Sequence, residues 1–167
     1  MPATIEIDEA NGEGETLSHN VANLNMGNVD AKEIVAKDHA IAPGANSFEK
    51  YIKFHVTNMG GSSKIDNIRV YRDGALGGAA THKTNARTAD YAGAATYAAP
   101  VATASSVATQ AMPTAEPASA NLGIGGSLSG ALEAAGSSDY LVMQIQTNAA
   151  DTAGSSSTLH FVYDETA

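Results

Sequence analysis

Five histidines have the widest chemical repertoire in this sequence, because imidazole serves both as a metal ligand and as a general base. They occur singly, as His19, His39, His55, His82 and His160. No His-x-x-x-His or Glu-x-x-His spacing would place two ligands on one helix face. His55 and His160 alternate with apolar neighbours, which is typical of outward-facing strand positions. Pairing across a sheet is the alternative, but we expect exposed strand histidines and no metal site.

The other residue types that support catalysis occur without the spacing that catalysis needs. No Gly-x-Ser-x-Gly elbow presents a nucleophilic serine, and the paired carboxylates lie near the chain ends with no tryptophan to bind a sugar. The Gly-rich stretch 123–130 has Leu128 where a dinucleotide fingerprint needs glycine, and Ala131 where a phosphate loop needs lysine. The absence of cysteine excludes thiol chemistry. We therefore predict a protein that is not an enzyme and uses no cofactor, with a flexible loop or β-turn at the glycines.

The charge distribution argues against nucleic acid and membrane partners. The formal net charge is −9, and residues 101–167 contain no Lys or Arg. The sparse basic residues between positions 64 and 87 lack the interleaved aromatics of a nucleic-acid surface, so they predict a solvated, charge-balanced face. No run approaches the roughly 18 apolar residues that a spanning helix requires, and the first residues lack the basic and apolar regions of a secretory signal. We expect a soluble protein that is synthesised in a cytoplasm.

Four segments alternate apolar and polar residues with a period of two, which predicts half-buried β-strands. They are residues 51–56, 68–72, 141–146 and 159–163. The residues predicted to face inward are Ile52, Phe54, Val56, Ile68, Val70, Leu141, Met143, Ile145, Leu159, Phe161 and Tyr163. Links rich in Gly, Ser, Asn and Ala join the first pair and the last pair, so we expect two antiparallel hairpins. Packing their apolar faces together predicts an all-β antiparallel sandwich, jelly-roll or immunoglobulin-like, formed by residues 1–167 as a single domain.

Two regions lack the apolar residues needed to fold alone. They are an extended N-terminal arm at residues 1–18 and a low-complexity, loop-rich insertion at residues 75–138. Within the insertion, residues 92–135, here named the central segment, contain only two charged residues, Glu116 and Glu133. A backbone that is ordered at about 1–2 kcal/mol per residue needs more burial than these regions provide. We expect residues 1–18 and much of the central segment to be ordered against a partner, through the apolar residues Ile5, Ile7, Leu17, Val101, Val107, Met112 and Leu122.

Several stretches resemble the small virion proteins of tailed bacteriophages. These are residues 46–54, 67–71, 112–117, 138–146 and 161–165. The resemblance implies a β-sandwich that coats or connects a capsid, in the manner of head decoration (cement) proteins. It implies no catalytic residues. It also implies as partners the major capsid protein and sister subunits, with a location on the capsid exterior of the virion.

Three functions follow as hypotheses. The first is a capsid decoration protein that binds and stabilises the phage head shell through a large contact area rather than through a reactive site. The second is a tail or head–tail connector component, for which a stable ring in solution is expected. The third is a carbohydrate-binding or adhesion module. The lack of tryptophan and the scarcity of loop tyrosines oppose this third hypothesis.

Overall fold

The computed structural model describes residues 1–12, 14–152 and 154–167. Over these residues the chain forms nine β-strands and no helix, and so no helix that could cross a membrane. The strands are β1 (Thr4–Glu9), β2 (Lys50–Asn58), β3 (Lys64–Arg72), β4 (Thr81–Thr84), β5 (Gln110–Ala111), β6 (Ala131–Leu132), β7 (Gly136–Ser137), β8 (Leu141–Gln146) and β9 (Leu159–Thr166).

The strands form two antiparallel sheets. The larger sheet has six strands in the order β1-β2-β8-β4-β5, with β7 also pairing with β2, and the smaller has the order β6-β3-β9. One apolar cluster joins the two sheets, because Phe54 of β2 contacts the rings of Phe161 and Tyr163 on β9 at centroid distances of 6.0 and 5.2 Å. The predicted all-β, two-layer antiparallel fold is confirmed. The jelly-roll or immunoglobulin-like subtype stays a prediction.

The alternation that predicted the strands also predicted their buried faces. Seven of the inward residues are at most 1% exposed: Ile52, Phe54, Val56, Ile68, Val70, Leu141 and Met143. The three from β9 are half-buried and pack against the same cluster: Leu159, Phe161 and Tyr163. The smaller sheet is narrow, with only β3 and β9 long, which leaves the β9 side chains open on one side.

The two predicted hairpins are wrong. β2 does not pair with β3, and β8 does not pair with β9, because each link crosses from one sheet to the other. Instead β2 pairs with β8 and β3 pairs with β9, for example through Tyr51 opposite Val142 and Val70 opposite Phe161. Turn residues predict that the chain reverses, but they do not decide whether it returns in the same layer or in the opposite one.

The N-terminal residues are part of the sandwich rather than a free arm. β1 pairs with β2 along its length, and the next residues fold back, with reciprocal backbone hydrogen bonds of 2.9 and 2.8 Å between Glu9 and Ser18. The Ala3 amide donates to Glu165 Oε1 at 2.7 Å, and the Gly61 amide donates to the Met1 carbonyl at 2.8 Å. The prediction of an extended arm overlooked these backbone hydrogen bonds, which do not depend on large apolar side chains.

Candidate functional site

The outer face of the six-stranded sheet carries a second apolar cluster that sequence analysis did not predict. Tyr51, Tyr140 and Val142 point away from the smaller sheet and pack with Ala10 and Ala108. Tyr51 lies edge-on to the ring of Tyr140, with the ring centroids 5.8 Å apart. The central segment supplies part of this cluster, so it covers the sheet instead of extending into solvent.

Gln144 of β8 attaches the central segment to this outer face. Its side chain is fully buried. Its Oε1 accepts a hydrogen bond from the Ser105 amide at 2.9 Å, and its Nε2 donates to the carbonyls of Thr103 at 2.7 Å and Ser47 at 3.1 Å. Its Nε2 also lies 3.3 Å from the Val101 carbonyl, so one amide side chain pairs four backbone groups of segments that are not strands.

Glu49, immediately before β2, provides a second buried polar anchor. Its carboxylate accepts hydrogen bonds from the Ser105 hydroxyl and from the Val101 amide, the latter at 3.3 Å. The Tyr51 hydroxyl lies 3.5 Å from the same carboxylate. Burial of the phenol, and then the negative charge of Glu49, raise the pKa of Tyr51 to about 12. Glu49 and Gln144 together hold residues 101–105 against the sheet.

The residues predicted to bind a partner differ in how far they are buried. Met112 and Leu122 lie in the core between the sheets, at 3% and 1% exposure, so their side chains are not available to a partner. Val101 is 40% exposed, and among the described residues it is the only large apolar side chain of the central segment with this much exposure.

The remaining predicted residues are half-buried. Ile5 and Ile7 pack against the core between the sheets, whereas Leu17 and Val107 pack against the outer cluster. These four side chains contribute to the packing of the domain itself. Of the seven predicted residues, Val101 alone is exposed.

Two of the five histidines, predicted to lie singly, come together: His55 on β2 and His19 on the segment that follows β1. Glu6, Asp8, His19 and His55, here named the His–carboxylate cluster, each offer one ligand-type atom, and these four atoms lie within 4.8 Å of one another. His55 Nδ1 is 2.8 Å from Asp8 Oδ2 and 3.1 Å from Glu6 Oε1. His19 Nδ1 is 2.9 Å from the same Asp8 oxygen and 3.4 Å from the same Glu6 oxygen.

Strand geometry explains why these residues meet. Glu6 and Asp8 are two positions apart on β1, so their side chains share its outer face. His55 is the register partner of Glu6 on β2. His19 reaches the cluster because the chain returns along β1, where the Val21 amide donates to the Ile7 carbonyl at 3.0 Å. His55 was predicted to be exposed, but its side chain is only 22% exposed. The cluster could be recognised only from the pairing of β1 with β2. Neither strand's own sequence specifies that pairing.

His160 differs from these two histidines. It stacks on Tyr71 of the adjacent strand at 4.7 Å between ring centroids, and its Nε2 lies 3.0 Å from Asp73 Oδ2. His160 has one carboxylate neighbour and belongs to no group of ligand-type residues in the described part of the chain. It therefore provides a natural control for the His–carboxylate cluster.

The Gly-rich stretch forms a tight turn, as predicted. Ile124 and Ser127 are bridged across Gly125 and Gly126, which have φ values of 61° and 80°. Two consecutive positive φ angles are the backbone of a type I′ turn, which favours glycine. The Gly126 amide donates to Asp139 Oδ2 at 3.0 Å, and the Tyr91 hydroxyl donates to the same atom at 2.9 Å. The carboxylate of Asp139, a residue of the same domain, therefore holds the turn in place.

Two of the three basic residues of β3, Lys64 and Arg69, are paired with acids. Lys64 Nζ lies 2.8 Å from Asp66 Oδ2. Arg69 contacts Glu116 at 2.9 Å and Asp164 at 3.1 Å. These ion pairs agree with the predicted charge-balanced face at Lys64 and Arg69, whereas Arg72 donates to the Gly74 carbonyl.

Comparison with known proteins adds no relative. No protein-family model, no curated protein and no solved structure matches this chain.

Proposed function

We propose that this chain is a non-catalytic virion structural protein, a decoration protein that binds the outside of a bacteriophage head shell and stabilises it. The observation that carries the proposal is the surface of the central segment. Residues 101–119 expose Ala, Thr, Ser, Gln and Val side chains, and Glu116 is their only charged residue. Interface centres are depleted in charge, and this surface shares that low charge.

The attachment of that surface to the sandwich supports the same function. Glu49 and Gln144 fix residues 101–105 at two points, so the surface is already ordered before binding. Binding then requires less ordering of the backbone than a free arm would. A modest affinity for each copy is sufficient on a shell, where the binding sites repeat. The net charge of −9 keeps crowded copies apart and disfavours contact with packaged DNA.

The test is binding of the purified chain to head shells assembled without it, measured by co-sedimentation and negative-stain imaging. Val101→Glu places a charge within the proposed contact and should weaken binding by at least about tenfold. Val35→Glu is the matched control, because Val35 is also an exposed valine, at 53%, and lies outside the central segment. This variant should bind like the wild type.

Three results would overturn the proposal. Equal losses in Val101→Glu and Val35→Glu would mean that the contact lies elsewhere. Binding to tails or a stable ring in solution, without binding to shells, would favour a tail or head–tail connector component. Reproducible micromolar binding to a glycan, with no affinity for shells, would favour a carbohydrate-binding module.

A further inference from the structure

We propose that the His–carboxylate cluster is a binding site for a divalent transition-metal cation of the size and ligand preference of Zn²⁺. The bound ion would link β1 and His19, which lies on the segment that returns along β1, to β2. This inference does not rest on the proposed function.

The types of ligand favour a transition metal over Ca²⁺ or Mg²⁺. Two imidazole nitrogens and two carboxylate oxygens form an N₂O₂ set, and imidazole is a preferred ligand of Zn²⁺, Cu²⁺ and Ni²⁺. Ca²⁺ and Mg²⁺ prefer oxygen ligands alone. Four protein ligands also match the closed coordination of a structural zinc site, whereas a catalytic site keeps one position open.

The spacing of the ligand atoms fits one central ion. Zn²⁺ bonds to histidine nitrogen and carboxylate oxygen are about 2.0–2.2 Å long, and a tetrahedron of that radius has edges of about 3.3–3.6 Å. The four distances between imidazole nitrogens and carboxylate oxygens are 2.8, 2.9, 3.1 and 3.4 Å. A change of about half an ångström between His55 and Asp8, and less at the other pairs, would open this arrangement to the ideal edge. His19, whose side chain is 60% exposed, has room to move.

A second observation comes from Asp8, whose side chain is 0% exposed. Its Oδ1 atom is buried without a hydrogen-bond partner. In the described part of the chain, the two histidines are the only basic side chains that contact Asp8 or Glu6. A buried carboxylate is costly unless it is paired, and a divalent cation would balance both acids.

The orientation of His55 also supports a metal site. Its Nδ1 lies within 2.8 Å of Asp8 Oδ2, yet it is buried without an aligned hydrogen bond. Proximity without alignment is what a ligand nitrogen and a ligand oxygen show when they face a common ion rather than each other. The competing arrangement, in which protonated imidazoles pair directly with the two acids, requires no metal and is an outcome of the test below.

The experiment is calorimetric titration of the chelator-treated full-length chain with ZnCl₂. We expect one ion per chain with a Kd in the micromolar range or below. At about a hundredfold excess of Zn²⁺ over Kd, the midpoint of thermal unfolding should rise by about 5–10 °C. Co²⁺ in place of Zn²⁺ should give the visible absorption of a tetrahedral N₂O₂ complex. Ca²⁺ and Mg²⁺ should give neither binding heat nor a shift.

Variants separate this site from adventitious binding. His19→Ala and Glu6→Gln change side chains that are not fully buried, so both should fold, and each should weaken Zn²⁺ binding by at least about tenfold. His160→Ala removes a histidine that also contacts one carboxylate, and should bind Zn²⁺ like the wild type. Absence of binding heat in the wild type would favour direct ion pairs and overturn the proposal. Binding that survives both His19→Ala and Glu6→Gln, or that is lost in His160→Ala, would also overturn it.

Discussion

The two faces of the six-stranded sheet are covered in different ways. The inner face presents Ile52, Phe54 and Leu141 to a second sheet, and its packing is almost wholly apolar. The outer face carries Val142 and Gln144 of the same β8 strand, and it is covered by irregular chain. Neighbouring residues of one strand therefore pack in different ways: one contacts apolar side chains of the second sheet, and the next contacts irregular chain.

The difference follows from what each covering layer must satisfy. A second sheet already pairs its own backbone groups, so apolar contact is sufficient to hold it. An irregular segment has unpaired backbone N–H and C=O groups, which must find partners when they are buried. Side chains such as Glu49 and Gln144 provide those partners. Polar side chains can therefore attach an irregular segment to the face of a sheet.

The largest expected effect is at the centre of the inner face. Phe54→Ala should lower the free energy of unfolding by about 3–5 kcal/mol, because Phe54 is fully buried and contacts aromatic rings of the opposite sheet. Denaturant unfolding measures the change. Phe161→Ala should cost clearly less, because Phe161 is only half-buried. Equal losses in the two variants would show that the β9 side of the core is closed.

His82 tests what happens when a polar group lies on the apolar inner face without partners. It is the register partner of Ile145, it is 9% exposed, and neither ring nitrogen has a hydrogen-bond partner. Burial, and then the positive charge of Arg72, lower the pKa of His82 from 6.5 to about 4. The unfolded chain therefore binds a proton between these pH values while the folded chain does not.

The sign of the pH dependence follows from this lowered pKa. The contribution of neutral His82 to the free energy of unfolding is complete above pH 6.5. It is lost as the pH falls towards 4, by about 3 kcal/mol in total. His82→Leu should remove that part of the acid destabilisation while keeping the site apolar. Denaturant unfolding between pH 4 and 7 measures both proteins. An identical loss in His82→Leu would mean that other groups cause it.

A smaller effect is expected on the outer face. Gln144→Ala leaves the Ser105 amide and the Thr103 and Ser47 carbonyls without their partner. The cost should be about 2 kcal/mol, since each buried unpaired group costs about 1–3 kcal/mol and water can reach some of them. Gln110→Ala is the control, because Gln110 is exposed and bonds only the neighbouring Thr109. Equal stability of the two variants would mean that Gln144 does not anchor the loop.

The sequence predicted the inner face well because that face depends on a local pattern. Alternation along β2 and β8 identified Ile52, Phe54, Leu141 and Met143 before any pairing was known. The pairing itself was not predictable, since Gly-rich links allow the chain to return in either layer. The outer face was missed because an amide such as Gln144 looks like a solvent-facing residue in a strand pattern.

The His–carboxylate cluster was missed for a related reason. Glu6 and Asp8 alternate with Ile5 and Ile7, so their shared face was visible in the sequence. His55 was also placed on an outward face. Only the register of β1 against β2 brings these side chains together, and long-range register is not a property of either segment.

The most direct test of this account is hydrogen exchange on the free, wild-type protein, followed residue by residue. The account predicts that the amides of Ser105, Ala108 and Asn121 exchange at least about a hundredfold more slowly than in an unstructured peptide. Their partners are Gln144 Oε1, Ser105 Oγ and the Ile68 carbonyl, all within the domain. Fast exchange at these amides in the free protein, slowing only on a head shell, would contradict it and would show that the central segment depends on a partner for its order.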